Sequence, residues 1–335
     1  MNNMLPRPLF WDEAAKQMKP RFSMLGELMI LLLLYFLAGF VQTALLSLAS
    51  GIWLLGGNGT SLMEKMMAAK SIDAMVYQLV EAMPDWLLIV SHFAAGAVGA
   101  AALIYCRRFQ HRSFPSIGLR GRRPLAEYGM GWVLGACLAA GVLVIGLLAG
   151  GYKMESGALR VDQLGLLLAA LLGCAVQAAG EELLIRGYYA PSLGAHYPLP
   201  VALAMSTVAT ILLHSGSSIT NMSTVNTLLL SLVLGIWVIK RGNLWSACGL
   251  HGAWLFVQNY LFGYAPAGEH RGVSLMTVDT DPYRTLLSGG SLGPQASICT
   301  TIVLLAALGV VLALKAREPA PPQPPRQDEQ AGNFL

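Results

Sequence analysis

A chain of 335 residues that is 55% hydrophobic and only 12% charged, with a mean hydropathy of +0.56, is too apolar for a soluble globular surface. Its net charge of +4 does not point to nucleic acid, because the basic residues sit beside apolar runs, where they set topology and meet anionic lipid. The fold class implied is all-α: a polytopic transmembrane helix bundle of about eight spans, in contact with a lipid bilayer.

Residues 1–23 read as an interfacial lead-in with Trp11 and Phe22 at headgroup depth. They hold Asp12 and Glu13 and lack the short apolar core of a removable signal peptide. Apolar runs follow at about 24–50, 85–105, 128–149, 163–189, 199–214, 224–239, 244–262 and 297–314, the fifth and sixth being short. Between the first two, Leu62 to Ala82 is helix-capable, with Met63, Met66, Met67, Ala74 and Tyr77 on one side and Lys70 interrupting it. Two readings fit there, an external amphipathic helix on the bilayer and an ordinary packed loop helix.

Residues 106–127 carry Arg107, Arg108, Arg112, Arg120, Arg122 and Arg123 against one acid, Glu127. Lys240, Arg241, Lys315 and Arg317 fall on the same side as Lys16, Lys19 and Arg21 in an eight-span count. The positive-inside rule makes that side cytoplasmic, with both chain ends on it. Residues 24–127 then form an N-terminal transmembrane pair, and 315–335 a proline-rich, disordered cytoplasmic tail. The loop at about 263–296 is long and carries a strong turn signal from Ser288 to Pro294, so it is expected to fold over something. Five scattered cysteines without a CxxC read as apolar packing residues.

Spans four to seven are the polar-decorated block. Glu181, Glu182 and Arg186 lie at the end of an apolar run, where desolvating a charge is costly. Glu182 and Arg186 are four apart and share a helix face, while Glu181 is turned about 100° from Glu182. One glutamate is thus held by the arginine, and its neighbour is free to face a cavity and accept a proton from water. His214 ends span five and His251 opens span seven, each able to donate to a bound water or an oxyanion. Asn259 lies two turns beyond His251 and is flanked by Gln258 and Tyr260, giving that helix a wet side. No His-Glu-x-x-His exists, which leaves only a dispersed zinc site as a metal alternative.

These residues resemble the CAAX-protease and bacteriocin-processing family of membrane proteins, also called the Abi family. Its first motif, Glu-Glu-x-x-x-Arg, is matched by Glu181-Glu182-Leu183-Leu184-Ile185-Arg186, with Gly187 also typical. Its second, an aromatic residue three before a histidine, reads Thr210-Ile211-Leu212-Leu213-His214 here, so the histidine matches and the aromatic does not. Its third, histidine then Asn or Asp four on, reads His251 to Leu255, with Asn259 one turn later as the candidate substitute. The turn around Gly289-Gly290 and Gly293-Pro294 is similar to a segment of bacterial members.

The resemblance covers about 163–262 and marks 128–314 as a catalytic transmembrane domain. It implies a glutamate-dependent intramembrane endopeptidase without a catalytic metal or cofactor. Glu181 activates water with His214, His251 and the Asn stabilise the oxyanion, and the partner is a membrane-embedded or membrane-associated peptide. A multi-pass protein of a bacterial inner membrane is expected, because the chain is compact and shows no recognisable sorting tail. Two other readings stay open: a weak or inactive relative that binds a membrane partner or peptide, and an ion-coupled transporter using the buried Glu and Arg. One mismatch stands out. Glu181 and His251 lie about 8 and 7 residues from the cytoplasmic ends of their spans but His214 about 16, roughly 12 Å too far outward.

Overall fold

The computed structural model describes residues 5–18, 22–68, 82–155, 161–214, 222–266, 272–281 and 283–316. Its helices are α1 (Leu9–Gln17), α2 (Met24–Trp53), α3 (Gly59–Ala68), α4 (Asp85–Phe109), α5 (Pro124–Leu148), α6 (Leu164–Gly194), α7 (Leu199–His214), α8 (Met222–Arg241), α9 (Trp245–Phe256) and α10 (Ile298–Ala313). Helices α2, α4, α5, α6 and α8 are each long and apolar enough to cross a membrane, while α7 and α10 are shorter apolar helices. With α9, which runs on through a π turn at Val257–Leu261, they make an all-α polytopic bundle. Leu25, Met29, Leu33, Phe36 and Phe40 of α2 are exposed, as lipid-facing side chains must be. Of the amphipathic stretch expected on the external side, α3 is present and exposes Met63 and Met67; residues 69–81, with Lys70, Ala74 and Tyr77, lie outside the described residues, as do 317–335 of the tail.

Glycines let the core helices touch backbone to backbone. A Cβ on Gly131 or Gly135 of α5 would overlap the carbonyl oxygen of Ser246 or Leu250 on α9, and one on Gly249 would overlap that of Tyr128. This Gly-xxx-Gly spacing is how helices approach closely in lipid, where packing replaces the hydrophobic drive. Gly99 of α4 is pressed on Gly180 of α6 in the same way, one residue before Glu181. Both crossings bring a polar helix segment against a neighbour's backbone.

On the side away from the arginines, the loops add a small sheet that the hydropathy pattern does not announce. Strands β1 (Tyr152–Glu155), β2 (Tyr264–Pro266) and β3 (Thr277–Thr280) pair in the order β1-β3-β2, β3 antiparallel to β1 and parallel to β2. The Leu275 and Met276 amides donate to the Tyr260 and Leu261 carbonyls, tying this strap to the end of α9. The glycine-rich turn Gly290–Ala296 packs against α8, where Asn226 donates to the Gln295 and Ser297 carbonyls.

Two side chains on the arginine-rich side are turned inward. Trp11 is 2% exposed, and its ring fills the space beside Gly194 that a side chain would occupy. Arg112 is wholly buried, so its guanidinium is not turned to lipid headgroups. Its guanidinium donates to the carbonyls of Ser116 at 2.5 Å and Gly187 at 2.9 Å. The second contact explains why α6 outruns its expected end at 189. Pro191 has no N–H to give the carbonyl four residues back, Gly187, and would ordinarily break the helix there. A π turn at Leu183–Tyr189 widens the chain before the proline, and Arg112 satisfies the stranded carbonyl.

Candidate active site

That extension of α6 removes the depth mismatch. The helix ends at Gly194, 13 residues past Glu181, and His214 lies 15 residues past the start of α7 at Leu199. The two differ by roughly 3 Å at 1.5 Å per residue. The start of α9 is sunk as well: the Leu244 amide donates to the Gly118 carbonyl, and Leu244 packs beside Gly187. Glu181 is six residues from that level and His251 seven.

Five of the six sequence-predicted site residues converge. Glu182 is fully buried and accepts from Arg186 Nη1 at 3.0 Å along the helix and from His251 Nδ1 at 3.0 Å across to α9. Arg186 Nη2 reaches Ser231 of α8, at 2.7 Å to the hydroxyl and 3.0 Å to the carbonyl. Ser231 in turn donates to Thr210 of α7, and Thr210 donates to the Ser206 carbonyl. Thr210, the departure from the aromatic motif, therefore serves as a hydrogen-bonding link that a phenyl ring could not supply.

Glu181 turns the other way. Its Oε2 lies 3.1 Å from His214 Nε2 and 3.7 Å from His251 Nε2, and its Oε1 accepts from Gln177 Nε2 at 2.9 Å. The His214 Nδ1 faces the Thr210 carbonyl at 2.9 Å, which only accepts, so Nδ1 carries a hydrogen. The bond from Nε2 to Glu181 then needs a second proton, on the imidazole or on the carboxylate. The pair therefore holds one proton more than a carboxylate beside a neutral imidazole, an arrangement suited to acid–base work.

A cavity of about 270 Å³ adjoins these groups, walled by Glu181, Arg186, His214 and His251 and by apolar Leu230, Leu234, Trp254 and Leu304. Gln295, at the rim, comes from the glycine-rich turn, so this part of the long loop after α9 lies against the site. His214 is the open member, with 40% of its side chain exposed against 16% for Glu181. Tyr35 of α2 donates to the Leu213 carbonyl beside it.

Asn259 is the residue the structure does not bring in. It is exposed and does not line the cavity, whereas Leu255 does. The wider π turn at Val257–Leu261 rotates it away, because four-residue spacing keeps a face only while the helix stays α. Sequence reasoning missed Gln177, Ser231 and His92. Gln177 was findable: it stands four residues before Glu181 in a helix that is otherwise apolar from Leu164 to Gly180. Among the described residues no set of three or more His, Cys, Asp or Glu side chains stands in metal-holding geometry.

Residues 163–257 match the family described as Type II CAAX prenyl endopeptidase Rce1-like, a stretch that takes in Glu181, Glu182, Arg186, His214 and His251 and ends before Asn259. No curated protein and no solved structure matches the chain. Over that stretch the chain is similar to this family, and the match supports endopeptidase activity of the CAAX type in general.

Proposed function

We propose that this CAAX-protease core makes the chain an intramembrane endopeptidase in which Glu181 is the general base. The observation that carries the reading is the Glu181 carboxylate standing between two imidazoles, 3.1 and 3.7 Å away, at the wall of a cavity. A water entering between Glu181 and His214 gives its proton to the carboxylate as it attacks the scissile carbonyl carbon. The extra proton of the pair leaves His214 able to donate, so an acid and a base stand on one substrate. His251 donates Nδ1–H to Glu182, which aims Nε2 at the position of a developing oxyanion; Nε2 donates there when the ring is an imidazolium, with the Glu182 carboxylate as its counter-ion. Collapse of the tetrahedral species returns a proton from the pair to the departing amine.

The substrate is a membrane-associated peptide, and the family's description favours a prenylated carboxyl terminus. The chain sits in a bacterial inner membrane with its arginine-rich side and both ends in the cytoplasm. Purified protein in liposomes, given a reporter peptide with a prenylated C-terminal cysteine motif, should cleave it, and Glu181→Gln should not. Equal cleavage by both proteins sinks the role of Glu181. One observation favours a second reading: Leu255 lines the cavity where a polar partner is expected, so the oxyanion lacks a donor there. A wild type that binds the peptide but cleaves no faster than Glu181→Gln would make the chain a peptide-binding relative.

A further inference from the structure

Glu181 is approached from the arginine-poor side by a chain of side chains that the catalytic scheme leaves unused. Gln177 Nε2 donates to Glu181 Oε1 at 2.9 Å. Gln177 Oε1 lies 2.6 Å from His92 Nδ1 on α4, and His92 Nε2 lies 2.7 Å from the Tyr260 hydroxyl beyond α9. One carboxylate settles the first two directions in this chain. Because Glu181 accepts, the Gln177 amide nitrogen must face it, so the Gln177 oxygen faces His92 and takes the hydrogen on Nδ1. A neutral His92 then presents a lone pair at Nε2, and Tyr260 donates to it.

We infer that Gln177, His92 and Tyr260 are positioning residues that hold the Glu181 carboxylate in its catalytic orientation, a role that rests on the peptidase reading above. Each link is anchored by a different element. Gln177 is on α6 with Glu181, His92 packs on Gly173 of the same helix, and Tyr260 is stacked on Phe256 and clamped by the Leu275 amide of the external strap. The His92 and Tyr260 rings meet edge to face at 5.6 Å. The amide of Gln177 is a poor proton conductor, so the chain orients Glu181 instead of carrying its proton away. Glu181 is thereby held at both oxygens: Oε1 by a neutral amide that stays in place through the reaction, Oε2 by the histidines that take part in it. Fixing one oxygen leaves the other as the reacting atom and lowers the reorganisation needed at each turnover.

The test combines kinetics with infrared spectroscopy of the protein in liposomes. Gln177→Leu and His92→Leu should each lower kcat on the order of tenfold while KM moves less than twofold, since a hydrogen bond to an ionised group is lost and the cavity keeps its shape. His92→Asn should recover most of that loss, because its amide nitrogen stands where Nδ1 does and still donates to Gln177. Tyr260→Phe, breaking only the last link, should have the smallest effect. The Glu181 carboxylate stretch, isolated by subtracting the Glu181→Gln spectrum, should shift in Gln177→Leu and His92→Leu and stay in place in His92→Asn. An unshifted band and unchanged kcat in folded Gln177→Leu, or an equal kcat loss in His92→Asn and His92→Leu, would overturn the inference. A wild type without peptidase activity would defeat the functional reading instead, and the infrared band would still decide whether the chain holds Glu181.

Discussion

Two clusters of buried charge lie along α6, one helical stretch apart, and they behave differently. Around Glu181, carboxylates meet two histidines and an arginine beside a cavity. Around Tyr188, the buried Glu27 accepts from the tyrosine hydroxyl at 2.7 Å, and the buried Arg112 spends its hydrogens on the Gly187 and Ser116 carbonyls. Both pay desolvation. Only the first has a titratable partner within hydrogen-bond reach on an open wall. Burial of charge therefore does not by itself mark chemistry in a membrane bundle; the opening and the second ionisable group do. The sealed cluster carries the other task. By satisfying Gly187 it lets α6 run past Pro191, and that length puts Glu181 level with His214.

The contrast is sharpest at its reactive end. Glu181→Gln should cut turnover by about 10²–10⁴-fold while the protein melts where the wild type does, since glutamine keeps the hydrogen bonds and loses the base. A large drop in melting temperature would make Glu181 structural, like Glu27. Next comes the counter-ion. Arg186→Met removes the arginine that balances the buried Glu182, leaving it His251 as its hydrogen-bond partner, and should destabilise the fold by roughly 3–5 kcal/mol, with Glu182→Gln/Arg186→Met regaining much of it; denaturation of the two variants in detergent measures the difference.

Arg112→Met should show the reverse pattern to Glu181→Gln. Each carbonyl it bares costs about 1–3 kcal/mol of stability, while the folded fraction keeps its turnover within a few-fold. Unchanged stability in that variant would break the comparison, because the sealed cluster would then support nothing. A smaller gain is expected from Leu255→Asn. One oxyanion donor is worth about 2.7–4 kcal/mol in a working protease, and an imperfectly placed one should still raise turnover by about tenfold in the same peptide assay. Asn259→Ala should do least, below about 0.5 kcal/mol in stability and with unchanged kcat, because its side chain is exposed and away from the cavity.

Local periodicity accounts for what was legible beforehand. Hydropathy located the bundle's helices, and four-residue spacing paired Glu182 with Arg186 and turned Glu181 aside, because the α-helix advances by a known angle per residue. The motif histidines were legible as residue types in the right order, though not as neighbours. The sequence alone therefore determined a membrane helix bundle, the residue types of its candidate site and the face of α6 to which Glu181 turns.

Tertiary structure decided the rest. The depth of His214, the burial of Arg112, the reach of His92 to Gln177 and the absence of Asn259 from the cavity all depend on where two separate helices cross and how far each extends. Those crossings are set by glycine contacts such as Gly99 on Gly180 and Gly135 on Leu250, and by a stranded carbonyl filled from another segment of the chain. Periodicity reports the direction of a side chain around its own axis. It carries no term for the distance between axes or for the level at which they meet, and an α-to-π change within a helix alters even the direction.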